Sequence, residues 1–222
     1  MAITMTALAI NKTESINHIK YASDTIDLAD IYDQFVNLVV WQRQLNAAIT
    51  EDVSALLNTH TSFAFRAVLK PSEVHEWLRV SLKQQAYTAL ENDIASIAEI
   101  FADLFDLSHV GLRLELLNKT MCPRFHVDKL MCRLVSTYAG NTTQWLTEDN
   151  VDRTKLGAGA NGLPDETSGI YINEEAIQQA SPGDVLLMKG QAWPNSSLPA
   201  LVHRSPSATA LSPRLLLGID FA

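Results

Sequence analysis

Val110-Gly-Leu-Arg-Leu-Glu-Leu116 alternates strictly between apolar and other residues, which is typical of a half-buried β-strand. From this point onward the chain consists of short β-like runs at 130–138, 184–188, 201–203 and 215–220. Turn residues, such as Gly140-Asn141 and Ser181-Pro-Gly183, separate them. Several short strands divided in this way predict a sandwich or barrel rather than a parallel sheet with crossover helices.

The part of the chain before Ser108 has a helical bias. Helices are predicted at 50–57, 72–82 and 90–107, and short buried strands at 36–41 and 63–69. Residues 1–25 are polar and irregular and predict a loosely held arm. The expected fold class is therefore α+β, with a helix-biased portion at 26–107 packed on a β portion at 108–222. A single continuous domain formed by both portions is left open.

The charge distribution argues against two classes of partner. The 222 residues carry 17 Lys and Arg against 25 Asp and Glu, a net charge of −8. Up to Val110 the count is 7 against 14, and from Gly111 onward it is 10 against 11. Neither half has the clustered basic residues that nucleic acid or an anionic membrane surface would attract. We expect a cytoplasmic protein whose partner is a small molecule or another unknown substrate, and the oligomeric state stays open.

A dense group of ionisable side chains lies in Met121-Cys-Pro-Arg-Phe-His-Val-Asp-Lys-Leu-Met-Cys-Arg133. On a strand, His126 and Asp128 would point to the same face and could converge on one ion. His203 ends an apolar run in the same half of the chain. Two histidines and one carboxylate form the facial triad of non-haem Fe(II) oxygenases, which leaves coordination positions open. A hydrogen-bonded surface pair of His126 and Asp128 is the alternative.

Arg214 opens the last apolar run, Arg-Leu-Leu-Leu-Gly-Ile-Asp220. An arginine at the start of a buried strand suggests that its guanidinium meets an anion, and its forked donors suit a carboxylate. A structural salt bridge with Asp184 or Asp220 would explain the same placement.

Two cysteines, Cys122 and Cys132, flank the dense group, too few for a disulfide framework. Each lies four residues from the nearer of His126 and Asp128, which is about 13 Å along a strand. That separation is too long for direct metal binding along a continuous strand, so buried thiols are the favoured interpretation. A sharp turn at Pro123 or a bulge would bring Cys122 closer, so a metal role for the cysteines stays open as the alternative.

The order His-x-Asp, a long gap, a distal His and then an Arg resembles the 2-oxoglutarate/Fe(II) dioxygenases. The resemblance covers about residues 110–222 and implies a double-stranded β-helix of the jelly-roll, cupin-like type. It also implies that His126, Asp128 and His203 hold Fe(II) and that Arg214 binds the far carboxylate of 2-oxoglutarate. It implies no catalytic side chain beyond the metal ligands.

The whole chain also resembles an uncharacterised bacterial domain family. The shared pieces are His126-Val-Asp-Lys129, Arg133-Leu-Val, Thr137-Tyr138, Gly183-Asp184, Lys189-Gly190 and His203-Arg-Ser-Pro206. Members of that family have been linked to zinc-homeostasis gene sets. The resemblance therefore keeps a second hypothesis open, a non-catalytic, cupin-like protein that binds Zn²⁺. A structural β domain without a metal is the third.

Overall fold

The computed structural model describes residues 18–83 and 85–222. In these residues the strands are β1 Ile19–Ala22, β2 Leu38–Trp41, β3 Phe63–Leu69, β4 Val110–Leu117, β5 Cys132–Ala139, β6 Gln144–Trp145, β7 Gln178–Gln179, β8 Val185–Lys189, β9 His203–Arg204 and β10 Arg214–Phe221. The α-helices are α1 Ala47–Thr59, α2 Val74–Ser81, α3 Thr88–Phe105 and α4 Asp165–Ser168. None of these helices has the length and apolar character needed to span a bilayer.

A seven-stranded sheet runs in the order β1-β2-β8-β5-β10-β4-β3. The β1–β2 pair is parallel, whereas every other pair in this sheet is antiparallel. Strands that precede Leu107 in the chain form both edges, so the predicted N-terminal and β portions contribute to one sheet. The last part of the predicted arm contains β1, an ordered strand that pairs with β2. Residues 1–17 of the arm lie outside the described residues.

Helices cover one face of the large sheet. The stripe predicted from three- and four-residue spacings, which includes Ile94, Ile97 and Phe101, is buried on α3. It packs in one apolar core with alternate residues of the sheet, among them Leu114 of β4 and Leu217 of β10. This core packs against the helix-covered face of β4 and β10.

A three-stranded sheet in the order β7-β6-β9 covers the opposite face. Trp145 of β6 is buried there against Val135 of β5 and against Leu186 and Met188 of β8. Beyond this apolar contact the two sheets enclose a cavity that is open to solvent. Since strand residues alternate between faces, Arg113 and Glu115 of β4 and Arg214 of β10 lie on the face that lines this cavity.

Gly140 allows the chain after β5 to approach the start of β10. Its φ is +79°, and a Cβ atom at this position would lie 2.4 Å from the carbonyl oxygen of Pro213 and 3.1 Å from the Cα of Arg214. The close approach therefore places Arg214 beside the end of β5.

We expect Gly140→Ala to destabilise the protein by about 2–4 kcal/mol, since it combines a left-handed backbone with a clash against backbone atoms. Gly162→Ala is the matched control, because its φ is +80° but nothing lies within 4 Å of the added atom. The control should lower the free energy of unfolding by only about 1–2 kcal/mol, the effect of the left-handed backbone alone. Urea unfolding of both variants measures the difference, and equal losses would contradict the steric explanation.

Candidate metal centre

His126 and His203 are brought together by backbone pairing between two segments far apart in the chain. The N–H of each donates to the carbonyl of the other at 2.9 Å, which forms an isolated antiparallel bridge. The expectation that His126 and Asp128 share a face of one strand is wrong, because the described segment between β4 and β5 forms only this single bridge. The two side chains converge through a loop instead.

Both imidazole rings have a defined tautomer. Nδ1 of His126 lies 2.9 Å from the carbonyl oxygen of Arg124, and Nδ1 of His203 lies 3.2 Å from that of Leu201. A carbonyl only accepts hydrogen bonds, so each Nδ1 carries a proton and Nε2 is the nitrogen that presents a lone pair in the neutral ring. This arrangement is typical of histidines that bind metal through Nε2.

Asp128 faces the two Nε2 atoms. Its Oδ1 lies 3.9 Å from Nε2 of His126, and its Oδ2 lies 3.6 Å from Nε2 of His203. One donor atom from each of the three residues lies within 4.8 Å of the others, which is close enough for this trio to hold a metal ion. Burial lowers the pKa of His203 to about 4, despite the opposing effect of Asp128, so this ring is neutral at pH 7.

A chain of ion pairs connects Asp128 to the large sheet. Arg133 of β5 donates to Oδ2 of Asp128 at 2.8 Å and forms a bidentate pair with Asp220 of β10 at 2.7 and 3.0 Å. Arg113 of β4 donates to the same Asp220 at 3.0 Å. Three neighbouring strands therefore determine where the Asp128 carboxylate lies.

Arg214 lies in the same cavity and has a different environment. Only 1% of the residue is exposed, and its guanidinium donates to the hydroxyls of Ser205, Thr137 and Thr143 at 3.2, 3.1 and 2.7 Å. Among the described residues no carboxylate pairs with it, and its Nε has no acceptor. Burial lowers its pKa to about 10, which leaves it charged at pH 7.

The salt bridge considered for Arg214 is absent from the described residues. Asp184 accepts from the backbone of Arg43 and Ser181, while Asp220 binds Arg113 and Arg133. The alternative that Arg214 pairs with one of these two acids is therefore wrong.

The two cysteines differ. Cys132 is buried among the apolar residues on the helical side of β5, where desolvation raises the pKa of its thiol. Cys122 is exposed and lines the cavity, because the turn after Met121 returns its carbonyl to the N–H of Ser205 at 3.0 Å. The expectation of a buried thiol holds for Cys132 and is wrong for Cys122.

Sequence reasoning missed most of the polar residues of the cavity and its surroundings. They are Arg113, Glu115, Arg133, Thr137, Thr143, Ser205 and Asp220. The two-residue alternation of β4 and β10 is the signal that could have found Arg113, Glu115 and Asp220, because the polar positions of these strands face the second sheet and not solvent. The other four lie on β5 or outside the strands, where this alternation does not mark them.

Comparison with protein families finds one model that matches residues 22–220, described as "Protein of unknown function (DUF1826)". A search of curated proteins finds none that matches the chain.

Solved structures provide a match to the fold. A full-length Neurospora crassa protein, solved in complex with alpha-KG, is 11% identical and has a TM-score of 0.50, covering 98% of this chain and 88% of its own. A prolyl-4-hydroxylase of Pseudomonas putida is 12% identical with a TM-score of 0.49, covering 89% of this chain and 98% of its own. At such identities the likeness concerns the fold alone.

We expect Asp220→Asn to weaken divalent metal binding by about 10- to 100-fold, the usual effect of losing a group that orients a ligand. Without the Asp220 charge, Arg133 would pair more strongly with Asp128 and withdraw it from the ion. Anaerobic competition of Fe(II) between the protein and a chelator dye measures the change. Asp152→Asn is the control, because Asp152 lies outside the cavity and its carboxylate accepts from Thr154. This variant should retain full Fe(II) affinity. Equal Fe(II) affinities in the two variants would contradict the role of the ion-pair chain.

His203 should make the metal-free protein sensitive to acid. Its pKa is about 4 when folded against about 6.5 when unfolded, so the unfolded state binds more protons between these values. Stability should therefore fall as the pH decreases from 6.5 to 4, with no further contribution from His203 below 4. Denaturant titrations at several pH values in this range give the free energy of unfolding at each pH. This free energy should fall less steeply with decreasing pH in His203→Gln than in the parent. An equally steep fall in both proteins would contradict the assignment.

Proposed function

We propose that this chain, which belongs to the DUF1826 family, is a non-haem Fe(II)- and 2-oxoglutarate-dependent oxygenase acting on a small molecule. His126, Asp128 and His203 would hold the metal, and Arg214 would bind the far carboxylate of the oxo-acid. The finer fold implied by the resemblance, a jelly-roll double-stranded β-helix, is proposed together with the activity.

The observation that carries this proposal is Arg214, a buried guanidinium whose partners in the described residues are three hydroxyl groups. A buried charge without a counter-charge is costly, and each carboxylate near the cavity already has another partner. A dicarboxylate ligand would supply the missing negative charge. The likeness in fold to the Neurospora crassa protein solved with alpha-KG, which is 2-oxoglutarate, is in keeping with such a ligand.

The contrast between Arg133 and Arg214 explains how two arginines in one cavity can have different roles. Arg133 is saturated by two carboxylates, so it has little remaining affinity for an anion. Arg214 is more deeply buried but is held by hydroxyl groups, which orient the guanidinium without cancelling its charge. Hydroxyl groups suit a site that must stay ready to bind and release a charged ligand, whereas a carboxylate partner would have to be displaced on each occasion.

The donor set also fits the metal. Two imidazoles and one carboxylate would occupy one side of an ion and leave the side facing the cavity free for other ligands. The ligand pairs at 3.6 and 3.9 Å are within twice the bond length of about 2.2 Å that nitrogen and oxygen ligands adopt. Arg133 binds Oδ2 of Asp128, which leaves Oδ1 without a donor among the described residues and suited to bind the ion through one oxygen.

When bound, Fe(II) with 2-oxoglutarate and O₂ supplies the hydroxylation of a C–H bond, with succinate and CO₂ as co-products. The residues of the chain bind and orient around that chemistry. Arg214, assisted by Thr143 and Ser205, would align the oxo-acid with the metal ligands. Val135, Met188 and Leu216 line the cavity between them and would exclude water from the reacting groups.

Arg214 also separates this proposal from the alternative of a non-catalytic protein that binds Zn²⁺. A metal store or sensor needs His126, Asp128 and His203 but has no use for a buried arginine that lines the same cavity without a carboxylate partner among the described residues. No observation on the described residues favours Zn²⁺ over Fe(II).

We expect anaerobic titration to show 2-oxoglutarate binding to the Fe(II)-loaded protein, and Arg214→Met to weaken it at least about 100-fold by removing a charge-assisted bidentate contact. Fe(II) affinity should stay within about threefold. On addition of O₂ the parent should form succinate slowly even without substrate. Isothermal titration and succinate assays measure these effects.

His126→Ala is the companion variant and should lose the metal and, with it, most oxo-acid binding. Arg214→Lys keeps the charge and should restore part of the affinity, which a variant that merely misfolds would not do. A parent protein that binds Fe(II) but not 2-oxoglutarate would contradict the proposed activity and favour the non-catalytic alternative.

A further inference from the structure

The wall of the cavity formed by β4 carries two charged residues that the metal and the oxo-acid would not use. Arg113 and Glu115 lie two positions apart, so their side chains share the face that lines the cavity. They have opposite charges but do not bind each other. Arg113 pairs with Asp220 on one side at 3.0 Å, and Glu115 pairs with Arg66 on the other at 2.6 Å.

Each of the two side chains retains hydrogen-bonding capacity. Arg66 donates both of its bonds to Oε1 of Glu115, at 3.1 and 2.6 Å, so Oε2 accepts from no described residue. The side chain of Glu115 is only 3% exposed. Nε of Arg113 is buried and has no acceptor among the described residues. Buried polar groups without partners are rare, so the unpartnered Nε of Arg113 marks an unusual residue beside an oxygen of Glu115 that still has room for a donor.

Gly218 makes room for the guanidinium of Arg113. It is the direct neighbour of Arg113 in the β4–β10 register. A Cβ atom at Gly218 would lie 3.3 Å from Nη2 and 3.5 Å from Nε of Arg113. The absence of a side chain on β10 therefore lets the guanidinium lie across that strand, at the cavity surface.

We propose that Arg113 and Glu115 form the substrate subsite, and that the substrate is a small zwitterion with an ammonium group and a carboxylate, as in a free amino acid. The inference rests on the proposed oxygenase function. Arg113 binds the carboxylate and Glu115 binds the ammonium group. Residues two apart on a strand are separated by about 6.7 Å, a span that one small molecule carrying both charges can bridge.

The pair of charges selects against simpler ligands. A purely anionic ligand would be attracted to Arg113 but repelled by the buried carboxylate of Glu115. A purely cationic ligand would be attracted to Glu115 but repelled by Arg113, two positions away on the same face of β4. In each case the like-charge contact offsets the matched contact, so both charges are needed together.

The experiment uses the protein loaded anaerobically with Fe(II) and 2-oxoglutarate, so that binding occurs without turnover. The probes are the common L-amino acids, each compared with its deaminated acid and its decarboxylated amine; for L-alanine these are propionate and ethylamine. Calorimetry measures affinity, and the visible absorption of the Fe(II)–oxo-acid complex reports whether the probe binds beside the metal. We expect at least one amino acid to bind, and its two counterparts to bind at least tenfold more weakly.

Arg113→Gln and Glu115→Gln should each weaken that amino acid at least tenfold. The dissociation constant of 2-oxoglutarate should change less than threefold, which also shows that the variants fold. Lys20→Gln is the matched control, because it removes one positive charge at an exposed residue of β1 that does not line the cavity. It should leave both affinities unchanged.

Two results would overturn the inference while the proposed function stands: 2-oxoglutarate binds but no amino acid does, or an amino acid binds equally well to the parent and to both glutamine variants. Absence of 2-oxoglutarate binding counts against the proposed function instead. In that case the amino-acid titrations of the Fe(II)-loaded parent and variants still decide the subsite, because a tenfold loss in both variants supports it and equal binding rejects it.

Discussion

Asp220 holds together the charged wall of the cavity. It lies near the end of β10 and accepts from Arg113 of β4 and from Arg133 of β5, the two strands that pair with β10 on either side. Arg133 then reaches Asp128, which lies in a loop. A loop residue would otherwise be free to adopt many positions. The position of Asp128 in the candidate metal centre therefore depends on the sheet, through Arg133 and the carboxylate of Asp220. Removing a single partner from such a half-buried network leaves an uncompensated charge.

The residues of the candidate site could be found from the sequence because their types and order are restrictive. His126, Asp128, His203 and Arg214 all line or adjoin one cavity, although their binding of a metal and an oxo-acid stays a prediction. The local reason given for the convergence was wrong, since a loop and a backbone bridge replace the expected strand. That bridge joins residues 77 positions apart in the chain, and no local pattern contains such information.

The charged face of β4 shows why the rest could not be predicted. Alternation of leucine with Arg113 and Glu115 is the usual pattern of a strand with one face in water. Here the second sheet covers that face, and the polarity belongs to a cavity instead. The same limitation applies to Cys122, whose distance from the metal ligands was estimated along a straight strand, whereas the chain turns after Met121. Local patterns report which residues share a face, but only the tertiary arrangement determines what lies opposite.

The cavity contains two proposed subsites, one at Arg214 and one at Arg113 and Glu115. Arg214 is 1% exposed and the side chain of Glu115 is 3% exposed, whereas the side chain of Arg113 is 23% exposed. The two proposed subsites therefore differ in the chemistry of their partners more than in their depth. Arg214 is held by three hydroxyl groups, while Arg113 and Glu115 each pair with a charged residue. Under the proposed function, the hydroxyl-bound arginine would serve the ligand common to every turnover, and the charged pair on β4 would determine which substrate is accepted.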